Sequence, residues 1–185
     1  MLARCFIAIF VFFTITSCAS PLKVNIESKR DTAYLEKIDN ILIFVSLDKI
    51  CTESSPVSQS FITKLSARDV VTESLVIHSD DSKDVQKNAL TRFKPKQVMY
   101  LIPKVIKTST ITSGNKKVGA HVLGWTLESS LYDTNTKKRI WRSSIEWVSG
   151  RHCGQESSDI MVEEIIEKLE ADGLLPASDR GQKKL

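Results

Sequence analysis

Residues 116–132 read KKVGAHVLGWTLESSLY and residues 139–148 read RIWRSSIEWV. Along the first run His121, Leu123, Trp125, Leu127 and Leu131 alternate onto one side of an extended strand, and along the second Trp141, Ile145 and Trp147 do the same. Pairing Trp125 with Trp147, Leu127 with Ile145 and Leu131 with Trp141 gathers all six on one face. It leaves a three-residue turn at Asn135-Thr136-Lys137. The opposite face then holds Thr126, Glu128, Ser130, Arg142, Ser144 and Glu146, which suit water. A slip of one residue would turn both rows over, so the register is strongly specified. A sheet with one apolar face needs a cover, and the tryptophans read as the underside of that cover rather than as a ligand cage.

Upstream, Ile41-Leu42-Ile43-Phe44-Val45 is a continuous branched, apolar run, as in a strand buried on both faces. After a loop with Cys51 and Pro56, the spacing of Phe61, Ile62 and Leu65 predicts a helix over 58–67 with Ser58 as N-cap. Residues 74–77 read as a strand. Residues 82–93 read as a helix capped by Ser82, with Val85, Ala89, Leu90 and Phe93 on one face. Residues 97–107 form a strand in which Pro103 marks an edge or a bulge. A Thr/Ser-rich connection follows over 108–117, with Gly114-Asn115 as its turn. Downstream of the hairpin, Val162, Ile165, Ile166 and Leu169 predict a helix over 159–172, capped by Ser158 and closed by Gly173 and Pro176.

The order is β-α-β-α-β-β-β-α, an α/β (α+β) domain with a single mixed five-stranded sheet and helices packed on it. Right-handed crossovers make the first three strands parallel, and the two hairpins make the fifth parallel to the third. A chain of 185 residues, 42% hydrophobic and 26% charged, suits one such domain and excludes a disordered or polytopic chain. The net charge of +4 is spread along the sequence, so nucleic acid is not expected as a partner.

The N-terminus has its own logic. Arg4 precedes an unbroken apolar stretch from Cys5 to Phe13, then a polar, small-residue region to Ser17. This is the layout of a secretory signal peptide, and the stretch falls well short of the roughly twenty apolar residues of a spanning helix. Ile15-Thr16-Ser17-Cys18 resembles the lipobox of bacterial lipoproteins. That resemblance implies cleavage of residues 1–17, lipid such as palmitate on Cys18, and attachment to a membrane through acyl chains. Ala19 and Ser20, where inner-membrane lipoproteins of this kind usually carry Asp, favour the outer membrane, facing the periplasm. Residues 18–38 then form the lipidated N-terminus and a tether, 39–176 the domain, and 177–185 a basic tail.

With Cys5 removed and Cys18 acylated, Cys51 and Cys153 are the remaining thiols. An oxidising compartment favours a Cys51–Cys153 disulfide over two buried thiols. No C-x-x-C pair is present, so neither zinc nor redox chemistry is indicated.

The element order and Leu131-Tyr132-Asp133 through Ile140-Trp141 resemble the small α/β modules of envelope lipoproteins, such as TolB N-terminal-like and penicillin-binding-protein-activator-like modules and the curli secretion lipoprotein. No amphipathic pore-forming hairpin is evident, so the last one's channel role is not implied. No Gly-rich phosphate loop, H-E-x-x-H or G-x-S-x-G occurs. His78, His121 and His152 are dispersed, and His152-Cys153 lacks the other ligands of a zinc site. Asp80-Asp81 and Glu163-Glu164 have no evident pocket to split their pKa values. Lys94, Lys96, Lys104 and Lys107 flank one strand and Lys137-Lys138-Arg139 lie near a turn, which reads as solvated surface. No cofactor, metal or catalysis is expected. The expectation is a protein-interaction module with Thr108, Thr110, Thr112, Asn115 and Lys116 as partner contacts. The alternative is an envelope enzyme or small-ligand carrier with a cleft at the carboxyl edge of the strands.

Overall fold

The structure, a computed structural model, describes residues 23–47, 54–78, 81, 83–113, 116–148 and 154–176. The leader, Cys18, Cys51, Asn115, Cys153 and the tail lie outside the described residues, as does Ser82. Six strands, β1 (Lys23–Arg30), β2 (Asn40–Val45), β3 (Val71–Val76), β4 (Gln97–Ser113), β5 (Lys116–Asp133) and β6 (Arg139–Val148), join three helices, α1 (Ser55–Ser66), α2 (Lys83–Phe93) and α3 (Gln155–Ala171). The strands form one mixed sheet in the order β1-β6-β5-β4-β2-β3. β2 is parallel to β3 and β4, and β4, β5, β6 and β1 pair antiparallel in succession.

The α/β class and the parallel relation of β2, β3 and β4 agree with expectation, but the sheet has six strands and not five. The additional strand lies in the segment read as a tether. Lys23–Arg30 offers only Val24 and Ile26 as alternating apolar positions, too few to announce a strand. It is ordered by pairing along β6 from Lys23↔Val148 to Arg30↔Trp141.

The central hairpin has the expected register, with Trp125↔Trp147, Leu127↔Ile145 and Leu131↔Trp141. Its turn is longer than the three residues expected. The pairing shifts to Tyr132↔Arg139, and Asp133 N donates to Lys138 O, so residues 134–137 cross over and Ile140 is bulged. The bulge lets two consecutive residues, Ile140 and Trp141, enter the same core, at 2% and 1% exposure. β4 shows the disturbance that Pro103 foretold, a register shift between Pro103 and Val105. The Thr/Ser-rich connection proves to be strand: β4 continues to Ser113 and β5 begins at Lys116, because Thr and Ile favour extended backbone whatever their polarity. A further shift between Lys107 and Thr108 leaves Leu123 unpaired, so no single alternation runs from Trp125 out to His121.

Two cores sandwich the sheet. On one face, Ile41, Ile43, Val45, Met99, Leu101, Leu127, Leu131, Trp141 and Ile145 meet Val57, Phe61 and Leu65 of α1 and Met161, Val162, Ile165, Ile166 and Leu169 of α3. On the other, Leu42, Phe44 and Val98 meet Ala89, Leu90 and Phe93 of α2. β2 faces both cores, which is why its run of apolar residues is unbroken. Ala89 is the one fully buried residue of α2, and Val85, expected inside, is 37% exposed. α2 therefore covers little, and over β5, β6 and β1 the second face carries Glu128, Arg142, Ser144 and Glu27 around a hollow of about 370 Å³.

Both long helices begin earlier than read. α1 starts at Ser55 because Pro56 belongs in a first helical turn, where its missing N–H is no loss. Ser58, read as the cap, is buried inside α1 and donates to Ser74 Oγ of β3 at 2.6 Å. α3 starts at Gln155 after an extended Gly154. Its end is as expected: Gly173 takes φ +75°, Gly173 N donates to Glu170 O and Leu174 N to Leu169 O, a Schellman closure. α1 and α3 run side by side in the same direction, joined by Lys64–Glu163 at 2.6 Å and Arg68–Glu170 at 2.5 Å. Among the described residues no helix is long and apolar enough to cross a membrane.

Candidate functional site

Two features stand outside the packed cores. The first is the β4–β5 ribbon. β2 accompanies β4 only as far as Val45↔Leu101, and β6 accompanies β5 only from Trp125. From Lys107↔Gly124 outward the two strands pair with each other alone among the described residues, through Thr108↔Val122, Thr110↔Ala120 and Thr112↔Lys117 to Ser113↔Lys116. The six residues of β4 from Thr108 to Ser113 carry the ribbon about 20 Å beyond the sheet. Thr108, Thr110, Thr112 and Lys116, read as contact residues on a connection, are thus brought together on this ribbon.

The second is a cleft of about 540 Å³, lined by Leu90, Lys94, Pro95, Val98, Tyr100, Tyr132, Asp133, Thr134 and Lys137. It opens where α2 stops covering the sheet. Val98 and Tyr100 leave β4 on the side away from α1 and α3, because their neighbours Met99 and Leu101 enter the main core. Val98↔Tyr132 pairing sets Tyr132 beside them. The Tyr100 ring stacks on Phe44 at 5.2 Å and meets Tyr132 edge to face at 6.0 Å. Burial, with a smaller effect from Tyr132, pushes the Tyr100 hydroxyl above its ordinary value, so this phenol stays neutral.

The rim is built by the two loops that close α2 and the central hairpin. Lys94 follows α2 with φ 53°, its N–H donating to Leu90 O, and Lys137 ends the β5–β6 turn with φ 58°. Three non-glycine residues among those described have positive φ, and two of them flank this cleft. A side chain in that region costs about 1–2 kcal/mol relative to the right-handed one. The turn is tied down from within: Asp133, 4% exposed, accepts from Thr136 N at 2.6 Å and from Thr136 Oγ1 at 2.7 Å. Thr134 Oγ1 donates to Pro95 O at 2.8 Å, which fastens the turn to the α2–β4 loop. Lys96 and Lys104 are drawn into pairs with Asp39 and Glu128. Lys94 and Lys137, read from sequence as scattered solvated charge, share one opening, with no ion pair to either among the described residues.

The cleft sits at the amino edge of the parallel strands, at the start of β4 and the end of β5. The cleft expected for a carrier or enzyme was at the carboxyl edge. No signal in the sequence joins Leu90, Tyr100 and Tyr132; the antiparallel return of β5 along β4 does. Among the described residues no group of three or more His, Cys, Asp or Glu could hold a metal ion. His78 is exposed, its backbone N–H bound by Asp81. Glu163 is engaged by Lys64 and Arg68, and Glu164 is held above the usual carboxylate range by burial and by Glu167 and Glu163.

No family model matches the sequence, and no curated protein matches it. Among solved structures, the chain is similar to the PelC dodecamer from Paraburkholderia phytofirmans, with a TM-score of 0.50 at 7% identity, covering 80% of this chain and 97% of that one. A single-substitution variant of that protein gives 0.48 at 9% identity with the same coverage. A PDZ-domain protein from Parabacteroides distasonis gives 0.43 at 7% identity, over 86% of this chain and 37% of that one. The first likeness shows a shared fold.

Proposed function

We propose that this chain is a lipid-anchored, non-catalytic accessory protein of the bacterial cell envelope. Acyl chains on Cys18 hold it to the outer membrane facing the periplasm, and the β4–β5 ribbon engages an envelope protein. The observation that carries this reading is the ribbon itself. An isolated two-stranded ribbon is marginal in water, and its unaccompanied strand edges are rails on which a partner strand can add. From Val105 to Gly124 the sequence contains Lys107, Lys116 and Lys117 and no Asp or Glu, so an acidic partner surface suits it. The anchor rests on the apolar stretch Cys5–Phe13 followed by Ile15-Thr16-Ser17-Cys18. Two or more acyl chains are what stable attachment to a bilayer requires.

Photo-crosslinking amino acids placed at Thr110 and at Lys116 in intact cells, with Gln59 on the exposed side of α1 as control, test the ribbon. Capture of one envelope protein from both ribbon positions and not from Gln59 is the expected result. Crosslinks to a second copy of the chain would replace that partner by self-assembly, and equal capture from all three positions would end the proposal for the ribbon. Labelled palmitate should be incorporated by the natural chain and lost in Cys18→Ala; label retained in that variant would remove the anchor.

A further inference from the structure

We propose that the cleft beside the end of α2 binds a small organic anion built on a flat ring. Its floor is apolar and aromatic: Leu90, Val98, Tyr100 and Tyr132. The edge-to-face tyrosines, 6.0 Å apart, offer an entering ring one face and one edge. The volume of about 540 Å³ is that of small-molecule sites in general.

Lys94 and Lys137, each carrying a positive charge, come from two different loops to line the same opening. Asp133, the one carboxylate in the lining, is spent on Thr136 within its own turn. The partial negative charge at the end of α2 is offset by Lys94 standing on it. The mouth is therefore positive over an apolar floor. A bare inorganic anion would leave the floor wet, and a neutral ring would leave both ammoniums unused. A molecule with both parts uses both.

Isothermal titration calorimetry of the full chain with naphthalene-2-sulfonate, and with neutral 2-naphthol for comparison, tests the assignment. The expected result is one site for the sulfonate with a dissociation constant on the order of 100 µM. The sulfonate binds roughly fivefold or more tighter than the naphthol, and added salt narrows the gap. In the double variant Lys94→Gln with Lys137→Gln, both residues being exposed, sulfonate affinity falls about tenfold while that of 2-naphthol stays the same. Tyr132→Ser weakens both ligands, with a thermal melt to verify the fold. Amide shifts on titration centre on Val98–Tyr100 and Tyr132–Thr134. Absence of saturable sulfonate binding, unchanged affinity in the double lysine variant, or shifts centred elsewhere would each overturn the proposal.

Discussion

Asp172, just past the end of α3, ties three elements together. Its Oδ2 accepts from Trp141 Nε1 of β6 at 2.7 Å and from Ser28 Oγ of β1 at 2.5 Å. Lys168 Nζ lies 3.7 Å from its Oδ1, and Arg30 of β1 donates to its main-chain carbonyl. Replacing the residue with Ala strands a donor, because Trp141 is 1% exposed and water cannot take over its N–H. A buried donor left unpaired costs about 1–3 kcal/mol. Loss of the Ser28 bond adds about 0.5–1.5 kcal/mol. The Lys168 contact adds only a few tenths, being long at 3.7 Å and in the weaker i,i+4 order. The Arg30 bond survives, since any residue keeps the carbonyl. Asp172→Ala is therefore expected to lower unfolding free energy by about 2–4 kcal/mol in urea titrations followed by circular dichroism, with an unchanged m-value. Trp141→Phe keeps the ring and removes the N–H. The double variant should be less destabilised than the sum of the singles by about 1–2 kcal/mol. A loss below about 0.5 kcal/mol for Asp172→Ala, or strict additivity of the two changes, would refute the argument that this carboxylate secures β1 and β6 to α3.

Gly173→Ala should cost about 1–2 kcal/mol, because φ is +75° and the new Cβ would lie 2.8 Å from Arg30 Nη1, which is itself held by hydrogen bonds; a melt at the natural temperature would contradict this. Gly154→Ser should stabilise by about 0.5 kcal/mol, since the extended N-cap of α3 lacks a side-chain acceptor and has open space for one; unchanged denaturation would show that the cap is not limiting. Burial raises the Glu128 pKa, but the Ser130 and Lys104 hydrogen bonds and the Lys104 and Arg139 charges outweigh it and hold the carboxyl below its ordinary value. Its stabilising contribution is thus present above the unfolded-state value and lost as pH falls through the folded-state value, so Glu128→Gln should flatten the acid limb of stability against pH; parallel limbs would refute it. Cys51 and Cys153 stand four and two residues ahead of α1 and α3, which run parallel and in contact, so the protein folded under oxidising conditions should be lighter by two hydrogens than its reduced form and lose roughly 4 kcal/mol on reduction; alkylation of both thiols in the native protein would exclude the bridge.

What the sequence determined by itself is local or periodic. Trp125, Leu127 and Leu131 against Trp147, Ile145 and Trp141 specify a register because a slip reverses every side chain. The run Ile41–Val45 marks a strand covered on both sides, and Gly173 a helix end, since few other residues tolerate that backbone. The tertiary structure decided everything that depends on distant partners. β1 is a strand because β6 offers it a free edge, although its own alternation is faint. Ile140 is bulged because two adjacent residues are drawn into one core, which no period of two encodes. Thr108–Ser113 became strand because β5 returns along it, and polarity had masked its extended preference. The cleft was hidden for the same reason. Lys94 and Lys137 are remote in sequence, and only the antiparallel return of β5 to the start of β4 sets them around the same pair of tyrosines.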